Sequence, residues 1–260
     1  MRDFLYAANW KLNKSPKEAK TFLGDFLGRI PVGGLGSSAH GGKKQVVLFV
    51  PALTLSAVVE SLGGAQAIQV GLQNAHAEPK GAFTGENSAA VAMEMGAKWL
   101  LVGHSERRAL FGETDLDTAK KVAAAFQAGM TAMLCVGESL AEREAGKTLE
   151  IVRRQLYAVL QDASLKSKVV TEKKFVIAYE PVWAIGTGKV ATPEQASEVH
   201  QAIRGILLAE LGEKTAQSIS ILYGGSVKPD NAKAIGAMPD IDGFLVGGAS
   251  LEPASFAGLF

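Results

Sequence analysis

The sequence predicts an α/β fold of the closed (β/α)8-barrel type, and three observations carry that reading. Eight short β-branched or apolar runs recur, at 4–9, 45–51, 67–73, 98–104, 131–137, 174–180, 218–223 and 242–246. Segments with the apolar spacing of helices lie between them, so strand and helix alternate along the chain. The runs are apolar on both faces, as parallel strands are when helices cover one side and an interior fills the other. A doubly wound open sheet is the alternative; no interdomain linker is visible, so the expectation is one barrel domain over residues 1–260.

Each element has a local reason. The first run turns polar at Asn9, and the second ends at Pro51, within an apolar stretch from Val46 to Val59 that Pro51, Thr54 and Ser56 interrupt. That stretch falls short of the roughly 20 residues that span a bilayer, and the amino terminus has no apolar core of a secretory signal. The expected location is therefore cytoplasmic, with no membrane partner. Helices are expected over 115–128 (Ala119, Val122, Ala123, Phe126), 149–160 (Ile151, Val152, Leu156, Val159, Leu160) and 193–211. The last has Thr192 placed as N-cap and Pro193 in the first helical position. Strand starts are spaced unevenly, about 22 to 44 residues apart, so no solenoid repeat is indicated. Residues 33–44 are glycine-rich and lie before the second strand, on the face that serves stability in a barrel, and are expected to form a mobile surface loop.

Composition narrows the function classes. The chain has 260 residues, 27 Lys+Arg against 26 Asp+Glu, 47% hydrophobic residues and one cysteine. Disorder is excluded, and a formal charge of +1 provides no broad basic field for nucleic acid. A single Cys135 rules out an intrachain disulfide or a multi-cysteine metal site, and no metal site is expected. Several motifs fail on context. Ala145-Gly146-Lys147-Thr148 ends like a phosphate-binding loop but has Ala141 where the first glycine belongs. Gly186-x-Gly188-x-x-Ala191 stands too far from the preceding strand to be a dinucleotide fingerprint. His76-Ala-Glu78 resembles a zinc-deaminase signature without its cysteines.

In a barrel the chemistry sits at the carboxyl ends of the strands, and there this sequence is unusually polar. Asn9 closes the first run with Lys11 after it, His104 closes the fourth before Ser105-Glu106-Arg107-Arg108, and Glu180 closes the sixth. Gly224-Gly225-Ser226 follows the seventh and Gly247-Gly248 the eighth. Singly, each has a plain structural explanation: a solvated lysine, a core histidine, an ion-pair carboxylate, a helix start, a turn. Their placement on one rim changes that balance. Glycine pairs after strands seven and eight let backbone N–H groups approach an anion, so a phosphate ester is the expected ligand. One carboxylate, one lysine and one imidazole, with no evident nucleophile, suit proton abstraction beside a carbonyl.

The segments Asn9-Trp10-Lys11, Gly103-His104-Ser105-Glu106-Arg107-Arg108, Cys135-Val136-Gly137-Glu138, Ala178 through Gly188 and Tyr223-Gly224-Gly225-Ser226-Val227 strongly resemble the triosephosphate isomerase family, from about residue 4 to the C-terminus. The resemblance implies a TIM barrel that interconverts dihydroxyacetone phosphate and D-glyceraldehyde 3-phosphate without a cofactor, in glycolysis and gluconeogenesis. That family is itself the standard case of a glutamate base, a neutral histidine electrophile and a closing loop, so these roles come with the resemblance. It implies Glu180 as base, His104 as electrophile and proton relay, Lys11 steadying the enediolate with Asn9 beside it, and Glu106 orienting Lys11. It also implies phosphate binding by Gly186, Ser226, Gly247 and Gly248, alongside Asn9 and Lys11 in the substrate site, and a packing role for Cys135. The loop 75–86, with Thr84 at its tip, would enter a partner subunit beside Asn9 and Lys11, making a homodimer.

Two roles also follow from chemistry. A free glutamate, with a pKa of about 4.3, is a weak base for a carbon acid and must lose its water when substrate binds. Pro181 through Lys189, with Val182, Trp183 and Ile185 between proline and glycine, has the composition of a lid that excludes water. The glycine-rich insert at 33–44 and the short C-terminal segment ending at Phe260 depart from the family pattern without touching the rim. Two other classes stay open at this stage: a barrel aldolase using Lys11 as a Schiff base, and a non-enzymatic phosphate-binding scaffold.

Overall fold

The computed structural model describes residues 1–31, 34–65, 67–185 and 191–260. Strands β1 (Arg2–Asn9), β2 (Gly41–Val50), β3 (Ile68–Leu72), β4 (Trp99–Val102), β5 (Thr131–Val136), β6 (Phe175–Tyr179), β7 (Ile221–Tyr223) and β8 (Gly243–Val246) form a closed barrel in chain order. All pairings are parallel, and β1 joins both β2 and β8. The helices are α1 (Pro16–Phe26), α2 (Leu55–Leu62), α3 (Ala89–Glu94), α4 (Ser105–Phe111), α5 (Asp115–Gln127), α6 (Leu140–Glu144), α7 (Thr148–Leu160), α8 (Ala163–Glu172), α9 (Pro193–Leu211), α10 (Glu213–Ala216), α11 (Ala232–Gly236) and α12 (Pro253–Ala257). All eight expected strands are present. Helix α9 has the expected bounds, with Thr192 accepting from the Gln195 N–H and Pro193 at its start.

The period-2 alternation of each strand separates two apolar shells. Leu5, Ala7, Val47, Phe49, Trp99, Leu101, Met133, Cys135, Val176, Ala178, Leu222 and Leu245 fill the barrel interior as one cluster. Their neighbours, among them Tyr6, Ala8, Val46, Leu48, Ile177, Tyr179 and Tyr223, pack outward against the helices. This alternation places the site: counting upward by twos from Leu5 and Ala7 reaches Asn9, and from Val176 and Ala178 reaches Glu180.

At the amino end of the barrel, Arg204 reaches Asp240 and Asp242 at 2.9 Å each, and Arg2 meets Asp242 at 2.7 Å. These bridges tie the first and last strands to α9.

Three expectations are corrected. His104 does not close β4, which ends at Val102; the chain turns at Gly103 and His104 becomes the N-cap of α4. Glu180 lies one residue past β6, although its N–H still donates to the Val136 carbonyl at 2.7 Å. The insert 33–44 is not simply a surface loop: Gly33 lies outside the described residues, but from Gly41 onward the chain is already β2, and Ser37 bridges Lys43. Buried Ser38 donates its hydroxyl to the Arg2 carbonyl at 2.6 Å and accepts the Gly42 N–H at 3.0 Å. A side chain at Gly42 would collide with that carbonyl, so here glycine serves close backbone packing.

Candidate active site

A cavity of about 660 Å³ opens at the carboxyl ends of the strands, and Asn9, Lys11, His104, Glu180, Ser226, Gly247 and Gly248 all line it. Five strand ends thus bring together residues spread over 240 positions of sequence. Gly186 falls outside the described residues, as does the lid from 186 to 189. Of that lid, Val182–Ala184 forms one 3₁₀ turn and Ile185 faces the cavity. Thr84 is exposed in the 75–86 loop and does not line the cavity.

Lys11 occupies the left-handed backbone region, φ 51°, a conformation that costs a lysine about 1 kcal/mol and needs neighbours to hold it. They are present: the Lys11 N–H donates to Asn9 Oδ1 at 3.0 Å, and Gln73 donates to the Lys11 carbonyl at 2.9 Å. The Lys11 ammonium lies 2.6 Å from Glu106 Oε1, which fixes its direction over the cavity.

His104 and Glu180 are buried together. The Glu106 N–H, in the first turn of α4, donates into His104 Nδ1 at 3.2 Å. That bond uses the Nδ1 lone pair, so the ring proton sits on Nε2, which lies 3.0 Å from Glu180 Oε1. Burial pushes the His104 pKa down, the adjacent Glu180 carboxylate pulls it up, and the net direction is upward while that carboxylate stays in place. Protonating Nδ1 would set two N–H groups against each other, so the geometry favours the neutral ring. For Glu180, burial raises the pKa, but His104 and the Ser105 N–H, at 2.9 Å from Oε2, outweigh it and hold the carboxyl below its ordinary value. The carboxylate is thus satisfied by these donors, and leaving them would make it a stronger base.

The backbone around Glu180 is clamped. Gly137 packs so closely on the Glu180 carbonyl that no Cβ fits, and the Gly224 N–H donates to the Tyr179 carbonyl at 2.7 Å. Cys135 is buried beside Glu180, and burial with that neighbouring carboxylate drives its thiol pKa well up, consistent with packing and not with a nucleophile.

Sequence reasoning missed several contributors. Ser105 was read as a helix start; it is one, and it also holds Glu180 through its N–H and its hydroxyl, the latter at 3.3 Å. Glu138, wholly buried, receives Tyr179 Oη at 3.1 Å, Trp183 Nε1 at 2.9 Å and Arg143 at 3.2 Å, which anchors the chain just after Pro181. A carboxylate two residues after the apolar run Ala132–Val136 was the available signal for it. Gln73, the support of Lys11, carried none.

A closed parallel barrel with a buried carboxylate, an imidazole paired to it and an oriented lysine at its carboxyl rim defines an enzyme of the acid–base class that works on a small ligand. The triosephosphate isomerase family model matches residues 4–260. The chain is 52% identical over 253 residues to the triosephosphate isomerase of Bdellovibrio bacteriovorus, covering 97% of each chain. It is 46% identical over 253 residues to that of Streptococcus agalactiae serotype Ia, covering 97% of this chain and 95% of that one. With the Acetivibrio thermocellus protein of the same name it shares 47% over 255 residues, 98% and 96% of the two chains. The chain belongs to the triosephosphate isomerase family.

Proposed function

We propose that the rim residues described above carry out the family's reaction, the interconversion of dihydroxyacetone phosphate and D-glyceraldehyde 3-phosphate, with Glu180 as the base. The observation that supports this reading most is the buried Glu180 carboxylate against His104 Nε2 and the Ser105 N–H at the wall of the cavity. Released toward substrate, Glu180 takes the proton from the carbon beside the carbonyl, and that C–H electron pair becomes the enediolate double bond. His104 Nε2–H and the Lys11 cation face the developing oxyanion, and Glu180 returns the proton to the neighbouring carbon. Asn9 holds the Lys11 turn and Glu106 aims its ammonium. Ser226, Gly247 and Gly248, with Gly186, are the proposed holders of the phosphate. A base supplies roughly 10²–10⁴-fold and an oxyanion donor roughly 10²–10³-fold, so both are needed.

The chain acts as one barrel domain and as a homodimer in the cytoplasm. Support for the dimer is a set of exposed apolar side chains in the segments that follow β1, β2 and β4, where Leu12 is 97%, Leu53 90%, Leu110 75% and Phe111 69% exposed. Exposed apolar side chains on one rim fit a protein interface, and the 75–86 loop with Thr84 follows β3 on the same rim. A coupled assay of glyceraldehyde 3-phosphate isomerisation, with chelator present, tests the function. The wild type turns over and Glu180→Ala, from a host lacking its own isomerase, does not; a folded, inactive wild type would overturn the reading.

A further inference from the structure

We propose that Lys228, on the loop after β7, is a further binding residue for the substrate's phosphate: a cation without an ion-pair partner that draws the anion into the cavity beside the backbone donors. Among the described residues, four side chains that carry charge near neutrality line that cavity: Lys11, Glu180, Lys228 and Asp230. Lys11 is committed to Glu106 at 2.6 Å, and Glu180 to His104 at 3.0 Å. Lys228 is exposed and forms no ion pair with any described residue. A phosphate ester brings close to two negative charges, because its second pKa is about 6. Ser226, Gly247 and Gly248 offer it only neutral donors, and two carboxylates line the same cavity. Among the described residues, Lys228 is therefore the lining cation whose charge is still free to meet the ligand.

The loop that carries it is held from two sides. Asn231 Oδ1 accepts the Lys228 N–H at 2.8 Å, and Asn231 Nδ2 donates to the Ser226 carbonyl at 3.1 Å. One side chain thus closes the turn that carries both the proposed phosphate donor and the lysine. On the other side Pro229 packs against the end of α12, where a Cβ added at Gly258 would come within 3.2 Å of the Pro229 Cγ. Residues 226–230 all line the cavity, so this turn is one of its walls. Fixed at its backbone and free at its head, Lys228 acts as a point charge, by an attraction that reaches beyond contact and that salt screens. Asp230, two residues on in the same wall, opposes it, so the proposal predicts effects of both signs.

The inference rests on the isomerase reading, and binding of inorganic phosphate, followed by calorimetry, separates the two. At about 0.01 M salt, where charges act over about 30 Å, Lys228→Gln is expected to lower kcat/KM for glyceraldehyde 3-phosphate about fivefold and to weaken phosphate binding severalfold. At about 1 M salt, where that range shrinks to about 3 Å, the gap to wild type closes to within about twofold. Lys228→Arg keeps most of the wild-type value, and Asp230→Asn raises kcat/KM at low salt. With D-glyceraldehyde, which lacks the phosphate, the loss in Lys228→Gln shrinks to within about twofold. Lys233→Gln removes an exposed lysine of α11 that does not line the cavity, and so controls for net charge. A Lys228→Gln enzyme equal to wild type at low salt, a fivefold loss that persists at 1 M salt or with D-glyceraldehyde, or an equal loss in Lys233→Gln overturns the proposal. A wild type that binds phosphate but isomerises nothing overturns the isomerase reading instead.

Discussion

Glu180 illustrates how one side chain is set by its surroundings. Its two oxygens are occupied by His104 and Ser105, so the reach of the side chain decides whether it arrives at the substrate carbon. Glu180→Asp, shorter by one methylene, is expected to cut kcat by about 10²-fold or more with little change in KM, measured by steady-state kinetics in both directions. Titration adds a second prediction. His200 has its folded pKa lowered to about 4 from 6.5, so between these values the unfolded chain binds the proton and the folded one does not. Stability therefore falls as pH drops from about 6.5 toward 4, at about 1.4 kcal/mol per pH unit at most from this group. Urea midpoints across that window should show a slope that His200→Phe flattens. Glu180, lowered by its donors, adds stability that is present above its unfolded value and is lost in more acid solution. Asn9 and Glu180 were legible in sequence because both continue an inward-facing alternation to the strand end. Ser105, Gln73 and Glu138 were not, because their work consists of contacts with residues up to 75 positions away.

Among the elements, α9 was the most legible, since its start is written in Thr192-Pro193 and its stop in Gly212. Thr192→Ala removes the acceptor for the Gln195 N–H and should cost about 1 kcal/mol, read as a lower melting temperature. Helix α4 was legible only in part. His104 looked like a strand end because the apolar run reaches it, but the turn at Gly103 passes it to the helix, where its Nδ1 replaces the usual hydroxyl cap. The insert at 33–44 misled more seriously, for glycine content alone does not separate a free loop from backbone in close packing. Ser38→Ala is expected to destabilise the protein by about 1–2 kcal/mol by leaving the buried Arg2 carbonyl short of a donor, with kcat unchanged. Chemical denaturation together with the isomerase assay checks both halves of that statement.

For the molecule as a whole, the topology was readable because parallel strands buried on both faces leave few arrangements, and the alternation with helices selects the barrel. The proposed subunit interface was less so: Leu12, Leu53, Leu110 and Phe111 are scattered in sequence, and they follow strands on the same side only because β1 to β4 are consecutive in the closed sheet. Phe111→Asp should shift the protein from dimer to monomer in light scattering. It should also lower activity, since the strained Lys11 loop, which carries Leu12, would lose its cover. The central claim is that Glu180 carries a proton between two carbons through an enediolate. Its most direct test is isomerisation in D₂O, following label in the product and turnover for wild type and Glu180→Asp. The account predicts deuterium entering at the carbon that receives the proton, and a turnover that collapses in the variant. Product free of solvent deuterium, formed at an undiminished rate by Glu180→Asp, would contradict it.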